Sequence, residues 1–333
     1  MIELPGKVLQ VAMGGSTQYA LLEDGTLIAW GSNDEGQLGN GPLRATGELG
    51  RYPKPSIAPV RVTGLTNVIQ IEAGAKHAVA ILKDGIVWAW GIRDEGAIGD
   101  GQPKTLRPVM AIGPTQVIGL QGITQIAATG HHNLALRSDG KVMAWGHNRD
   151  GQLGNGTRDN GWTPAEVSGL DRIVGIAAGV ASFAGNCFSG AVRDDGTVWT
   201  WGSGVSGVAG NGLENMSPDD PGGRNLLPLQ VKGLTNVKTL SLGFGHAAAL
   251  LGDGTLRMWG HNGFGQLGVA TSGDYSLSPV PVKGITNVAA VYLGSMRSAA
   301  VRTDGSLWIW GFGTGGDGNL GKNLRVPTLI GLP

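Results

Sequence analysis

Cysteine is almost absent: Cys187 stands alone among 333 residues. That excludes an intramolecular disulfide framework, and it fits either a reducing compartment or an exported protein that needs no disulfide. No apolar run approaches the length of a membrane span, so no membrane insertion is expected. Lys plus Arg balance Asp plus Glu at 25 each, for a formal net charge of zero. Such a chain has no overall field to attract nucleic acid or an anionic surface, and neither partner is expected. The opening Met-Ile-Glu-Leu-Pro-Gly lacks the basic-then-apolar plan of a signal peptide. Compartment therefore stays open between the cytoplasm and export with a leader removed. No segment sustains a 3.6-residue apolar period, which predicts almost no helix.

What the chain has in excess is glycine, 60 residues, without the three-residue period of collagen. The glycines mark a repeat. Asp-Gly recurs at Asp24, Asp84, Asp139, Asp195, Asp253 and Asp304, and Trp-Gly at Trp30, Trp90, Trp145, Trp201, Trp259 and Trp310. A Gly-Gln-Leu-Gly-like signature follows each Trp-Gly. Six copies fill the chain at about 8–65, 66–120, 121–170, 171–234, 235–285 and 286–333. Units that bury a face only against their neighbours form one body, so residues 1–333 are expected to be a single domain.

Each copy offers four short strand candidates bounded by Gly, Pro and Asn. The Asp-Gly dipeptide predicts a two-residue type I′ turn between the second and third. Along the third strand, the second and fourth positions after Asp-Gly are apolar or small and the fifth is always Trp. The third position is also apolar in five copies of six, Arg257 being the exception. A strand open to water on one side would alternate instead. Sheets covered on both faces by their neighbours satisfy this pattern. The predicted fold is therefore all-β: a six-bladed β-propeller of four-stranded antiparallel blades.

Strand alternation puts the first-to-second turns and the third-to-fourth loops on one face. From the signature's last Gly to the proline of the fourth strand, the intervening residues number 19, 14, 9, 17, 10 and 5 in repeats one to six. Repeat four also carries an insertion of about six residues within Gly179–Phe188. Long insertions confined to one face are where repeat proteins place binding.

The consensus Val-x-x-Ile-x-x-Gly-x-x-His-x-x-Ala-Leu-x-x-Asp-Gly-x-Val-x-x-Trp-Gly-x-Asn-x-x-Gly-Gln-Leu-Gly resembles the repeat of the regulator of chromosome condensation (RCC1-type) family. WD-repeat and kelch signatures do not match. The family commonly has seven blades, but six repeats are visible here and six are expected. The resemblance implies closure by a terminal strand joining the first sheet, a part for Val326–Leu332. It also implies protein binding. The namesake is a guanine-nucleotide exchange factor for the Ran GTPase and docks on nucleosomes. A secreted bacterial relative inhibits β-lactamases through loops on one face. The namesake's basic N-terminal tail has no counterpart here, and the repeat-four insertion is the one candidate for its exchange wedge.

Catalytic and metal constellations do not assemble. His77, His132 and His246 share one repeat column, filled elsewhere by Thr17, Phe188 and Arg297, and read as hydrogen-bonded structural residues. His147 and His261 lie in non-adjacent repeats, and neighbouring His131 and His132 would point oppositely in a strand. Asn33-Asp-Glu-Gly36, Arg93-Asp-Glu-Gly96 and Arg149-Asp-Gly151 lack the alternating carboxylates and closing Glu of a calcium loop, and read as turns. Cys187 reads as a buried, inert thiol. No cofactor, metal or catalytic residue is expected. The insertions instead present Arg51, Tyr52, Trp162, Phe183, Phe188 and Tyr275, of which the Arg, Tyr and Trp belong to the types enriched at interface hot spots.

The sequence thus predicts a monomeric, non-enzymatic propeller that binds a protein through its long-loop face. Guanine-nucleotide exchange on a small GTPase, or inhibition of a partner enzyme, are the alternatives. A lyase or hydrolase with a site at the axial pore ranks last.

Overall fold

The computed structural model describes residues 4–42, 46–48, 53–102, 109–182, 185–213, 223–270, 273–313 and 323–331. The first repeat forms β1 (Val8–Gly14), β2 (Thr17–Leu22), β3 (Leu27–Gly31), β4 (Thr46–Glu48) and β5 (Ser56–Arg61). The second gives β6 (Val68–Ala73), β7 (His77–Leu82), β8 (Val87–Ile92) and β9 (Val109–Gln116), and the third β10 (Ile123–Thr129), β11 (His132–Arg137), β12 (Val142–Gly146) and β13 (Gly161–Glu166). Repeat four supplies β14 (Ile173–Val180), β15 (Cys187–Arg193), β16 (Val198–Ser203) and β17 (Arg224–Gln230). Repeat five supplies β18 (Val237–Leu242), β19 (His246–Leu251), β20 (Leu256–His261) and β21 (Tyr275–Pro281). The last supplies β22 (Val288–Leu293), β23 (Arg297–Arg302), β24 (Leu307–Gly311) and β25 (Leu324–Leu329). Each repeat makes one antiparallel sheet in chain order, the sheets of a six-bladed β-propeller. Helix among the described residues is limited to the 3-10 turns Asp94–Gly96 and Val205–Gly207 and a 3-10 residue at Gly223.

The Trp-Gly dipeptide has a local cause. In all six sheets the ladder between third and fourth strands skips a residue at the signature tryptophan, as between Ala89 and Gly91. A bulge of this kind needs a left-handed residue, and Gly91 sits at φ +106°. A Cβ there would also stand 2.4 Å from the Lys76 carbonyl oxygen. Conformation and space both require glycine.

The Asp-Gly turns differ from the expected type. Gly25 has φ +78° while Asp24 stays on the ordinary side, whereas a type I′ turn needs both central residues left-handed. Gly25 N–H donates to the Leu22 carbonyl and Leu22 N–H to that of Thr26. This is a three-residue loop, a type I turn closed by a glycine bulge. The Asp24 carboxylate accepts the Thr26 N–H at 2.9 Å, which holds that carboxyl below its usual range. The same Asp-to-backbone bond returns at Asp84, Asp139, Asp195, Asp253 and Asp304. Asp therefore earns its place through its side chain, not by tolerating positive φ.

Two strands sit elsewhere than the sequence suggested. Closure was expected from Val326–Leu332 joining the first sheet, but β25 pairs with β24 and completes its own sheet. Sheet one is built from β1, β2, β3 and β5, all of repeat one. Meanwhile β4, inside the long repeat-one loop, pairs with β9 as a fifth strand of sheet two. Part of that loop is therefore spent on covering a neighbour's edge.

The chain separates into two compact units, 1–149 with 157–170, and 150–156 with 171–333. In the first, Ala and Val of the second strands, Trp90 and Trp145 form one continuous core. The second holds separate clusters around Trp259, around Trp310 and around Phe188. Burial falls off at the first and last sheets. Val11 is 54% exposed, whereas Ile71 in the same column of sheet two is 0% exposed. Leu307 is 41% exposed, and its equivalent Leu256 is 0%.

Candidate functional site

Every sheet is antiparallel in chain order, so the first-to-second turn and the third-to-fourth loop leave it at the same end. The signature loop is fixed there from both sides. Within it, Asn33 and Asn262 each accept the N–H five residues on through the side-chain oxygen, while Gln37, Gln152 and Gln266 accept the N–H two residues before. From the following repeat, a tryptophan indole N–H donates to the loop's carbonyl. The pairs are Trp90 to Gln37, Trp145 to Ala97, Trp201 to Gln152, Trp259 to Val208 and Trp310 to Gln266, at 2.8–3.2 Å. Trp-Gly and Gly-Gln-Leu-Gly are thus two halves of one joint between consecutive repeats.

The segments that resembled calcium loops supply a second tie. Glu35 pairs with Lys76 at 3.0 Å, and Glu95 lies 3.0 Å from His131 Nδ1. The buried carboxylate of Asp150 accepts from Asn186 Nδ2, the Cys187 N–H and Arg224 Nε at 3.0–3.1 Å. In each case an acidic loop residue reaches the first-to-second turn of the next repeat. Sequence reasoning saw turns here but missed that their carboxylates are aimed at the next repeat. Glu95 adds a further neighbour, since His147 Nε2 stands 3.7 Å from its second oxygen. Its backbone is left-handed at φ +62°. Despite this gathering, no three His, Cys, Asp or Glu side chains among the described residues are placed to hold a metal ion.

The histidine column is structural, as its chemistry suggested. Strand register sets Thr17, His77, His132, Phe188, His246 and Arg297 opposite the six Trp-Gly glycines. His77 Nε2 lies 2.7 Å from Asn133 Oδ1, and His246 Nε2 3.0 Å from Ser298 Oγ. Burial disfavours the charged ring and pushes His77 and His246 down to about 4 and His132 to about 3. These rings are neutral hydrogen-bonding parts of the core.

The rim residues divide. Trp162 in β13 and Tyr275 in β21 are half-buried, each opening the fourth strand where the long loop ends. The Trp162 carbonyl accepts the Gly101 N–H at 3.0 Å, so its backbone is tied to the preceding signature loop. Arg51, Tyr52 and Phe183 lie outside the described residues. Phe188 is a correction. It is 0% exposed and packs on Ala181 and Val208. Its register position faces Gly202, and the ring is enclosed rather than presented at a rim. Cys187 is buried with it.

The family model of the RCC1-like domain matches residues 6–332. The chain belongs to the RCC1-like domain family. Among its relatives, the ultraviolet-B receptor UVR8 of Arabidopsis thaliana is 30% identical over 98% of this chain and 82% of its own length. Protein pim1 of Schizosaccharomyces pombe is 29% identical, and the chain spans 63% of it. The human E3 ubiquitin-protein ligase HERC2 is 27% identical, and the chain spans 6% of it. Solved structures agree in fold. Human WBSCR16 superposes with a TM-score of 0.79 at 21% identity, over all of this chain and 84% of that one. Yeast RCC1 (Prp20), solved with Kap60 bound, gives 0.76 at 23%, over 98% and 75%. In this RCC1-like domain five consecutive pairs of repeats carry both halves of that joint.

Proposed function

We propose that this RCC1-like domain is a non-enzymatic binding module that engages a partner protein through the loop-bearing ends of its sheets. The carrying observation is that the six Asp-Gly connections are uniform three-residue turns, while at the other end the stretch from the signature's last Gly to the fourth-strand proline varies from 5 to 19 residues and leads into half-buried aromatics, Trp162 among them. Half-buried Trp and Tyr beside a rigid sheet lose little conformational entropy on binding. Relatives support the class. Yeast Prp20 has been solved with Kap60 bound, and its binding to Gsp1p and histones is described. Nucleotide exchange is less favoured, because Ala181, Cys187 and Phe188 of the would-be wedge are buried.

Capture of partners by the tagged chain, identified by mass spectrometry, tests this directly. Tyr52→Ala combined with Trp162→Ala should weaken the captured protein by roughly tenfold or more, as loss of a hot spot does. Thermal stability should change little. Undiminished capture by a folded double variant would overturn the reading. Accelerated nucleotide release from any of a panel of small GTPases would replace it with exchange activity.

A further inference from the structure

One departure from the repeat lies just after its signature. In four repeats the two residues following Gly-Gln-Leu-Gly or its equivalent are Asn40-Gly41, Asp100-Gly101, Asn155-Gly156 and Asn211-Gly212. The glycine N–H then donates to a carbonyl in the next repeat's fourth strand. Gly41 reaches Ile112, Gly101 reaches Trp162, Gly156 reaches Leu226 and Gly212 reaches Leu277, at 2.9–3.0 Å. At Gly101, Gly156 and Gly212 the turn is left-handed, with φ of +75°, +80° and +79°.

Repeat five has Val269-Ala270 instead, and repeat six Lys322-Asn323. Alanine pays about 1–2 kcal/mol for a left-handed backbone, and Ala270 does not adopt one. By strand register the equivalent acceptor would be the Arg325 carbonyl. Among the described residues Ala270 makes no such bond. Where the latch is missing the structure opens into a cavity of about 490 Å³, within the range of ligand-binding clefts. Val269, Ala270, Val280 and Val326 give it apolar walls, and Tyr275 and Lys283 stand in its lining. Lys283 is exposed and is the single charged side chain among the described lining residues. It has no acidic partner among them.

A repeat that abandons its own closing bond, and puts an apolar cavity with a lone cation in its place, has lost stability without a structural return. Such local departures mark function. We propose that this cavity is an anchoring pocket for a partner protein's segment that carries a bulky apolar side chain beside a carboxylate. The inference rests on the partner-binding reading and names the chemistry of what is recognised. The apolar side chain enters between Val280 and Val326, and the carboxylate meets the Lys283 ammonium at the rim. Tyr275 is then a wall of the pocket rather than a free-standing rim aromatic.

The test uses the full chain and three acetylated, amidated dipeptides, Phe-Asp, Phe-Asn and Ala-Asp, followed by methyl NMR of the valines and Ala270. Phe-Asp should bind saturably and shift Val280 and Val326. Phe-Asn should bind about two- to fivefold more weakly, the size of one exposed ion pair. Ala-Asp should not bind. In Lys283→Gln the preference for Phe-Asp over Phe-Asn should vanish. In the variant combining Val269→Asn and Ala270→Gly, which restores the latch residues, binding should be lost while the melting temperature holds or rises. Should that variant not fold, Lys283→Gln carries the test alone. No saturable shift with Phe-Asp, equal binding of Ala-Asp, or an undiminished Phe-Asp preference in Lys283→Gln would overturn the proposal. Tighter binding of free 4-phenylbutyrate than of Phe-Asp would make this a small-molecule site and overturn it too. None of these outcomes touches Tyr52 and Trp162, whose variants test the broader reading separately.

Discussion

The indole nitrogen of Trp90 lies 2.9 Å from the carbonyl oxygen of Gln37, which is 53 residues earlier in the chain. Tyr19 donates its hydroxyl to the same oxygen at 2.5 Å, and the two rings meet edge to face with centroids 6.1 Å apart. One carbonyl of a glycine-rich loop is thus the meeting point of two sheets. The loop has no core of its own, so its shape depends on these donors.

Trp90→Ala should therefore cost on the order of 3–5 kcal/mol, the usual loss for a fully buried large aromatic. Trp30 occupies the same place in sheet one but is only half-buried, and Trp30→Ala should cost clearly less. Urea denaturation of both variants against the parent protein measures the difference. Equal losses would mean that the joint contributes no more than the ring's own packing.

The same comparison can be made without a hydrogen bond. Leu256 and Leu307 are equivalent positions with opposite burial, 0% and 41% exposed. Leu256→Ala should lose roughly 2–5 kcal/mol and Leu307→Ala about 1 kcal/mol or less, since a cavity forms only where the surroundings cannot collapse or are solvent already. Thermal melts of the pair check it.

Stability should depend on pH through two opposing groups. His77, His132 and His246 bind their proton more weakly when folded than when unfolded, where the ordinary value is 6.5. The folded state then holds fewer protons between about 4 and 6.5, so stability rises across that window and is lost as pH falls. A shift from 6.5 to about 4 corresponds to about 3 kcal/mol for a fully buried ring. Glu72 works the other way. Burial pushes it up to about 7, against the hydrogen bonds from Gln70 and Gln10. The folded state holds its proton longer, and stability is lost as pH rises from about 4.5 towards 7. Denaturation midpoints measured from pH 4 to 8 should climb to a maximum near pH 6.5 and then level off. His77→Gln should flatten the acid limb, and Glu72→Gln should raise stability at pH 8 relative to pH 5. An acid limb unchanged in His77→Gln would show that the ring is protonated as easily inside as out.

Much of this was legible in the residues. Asp-Gly and Trp-Gly announced the strand ends correctly because each glycine answers a backbone demand confined to a few neighbouring residues. The turn type was misread for the same local reason. Asp24 and Gly25 fit a two-residue turn in isolation, and the deciding fact, the Thr26 N–H on the Asp24 carboxylate, involves only one residue more. The buried histidines were readable because a column that alternates His, Thr, Phe and Arg cannot share one chemistry.

Phe188 was not readable. Its place in the insertion suggested a rim, whereas the ring is enclosed beside a Cys187 N–H held by the Asp150 carboxylate, 37 residues before Cys187. The reach of Glu35, Glu95 and Asp150 was hidden too, because each partner belongs to the next repeat.

By itself, then, the sequence determined six repeats, their strands, the glycines at their bends and the family they belong to. These depend on backbone conformation and on apolar alternation, both properties of short stretches. Only the tertiary structure decided that β4 joins the sheet of the following repeat and that β25 completes its own. It alone set Leu307 in solvent where Leu256 is enclosed, and opened a cavity at Val269-Ala270. Each of those outcomes depends on which surface lies opposite, and that is information no single repeat contains.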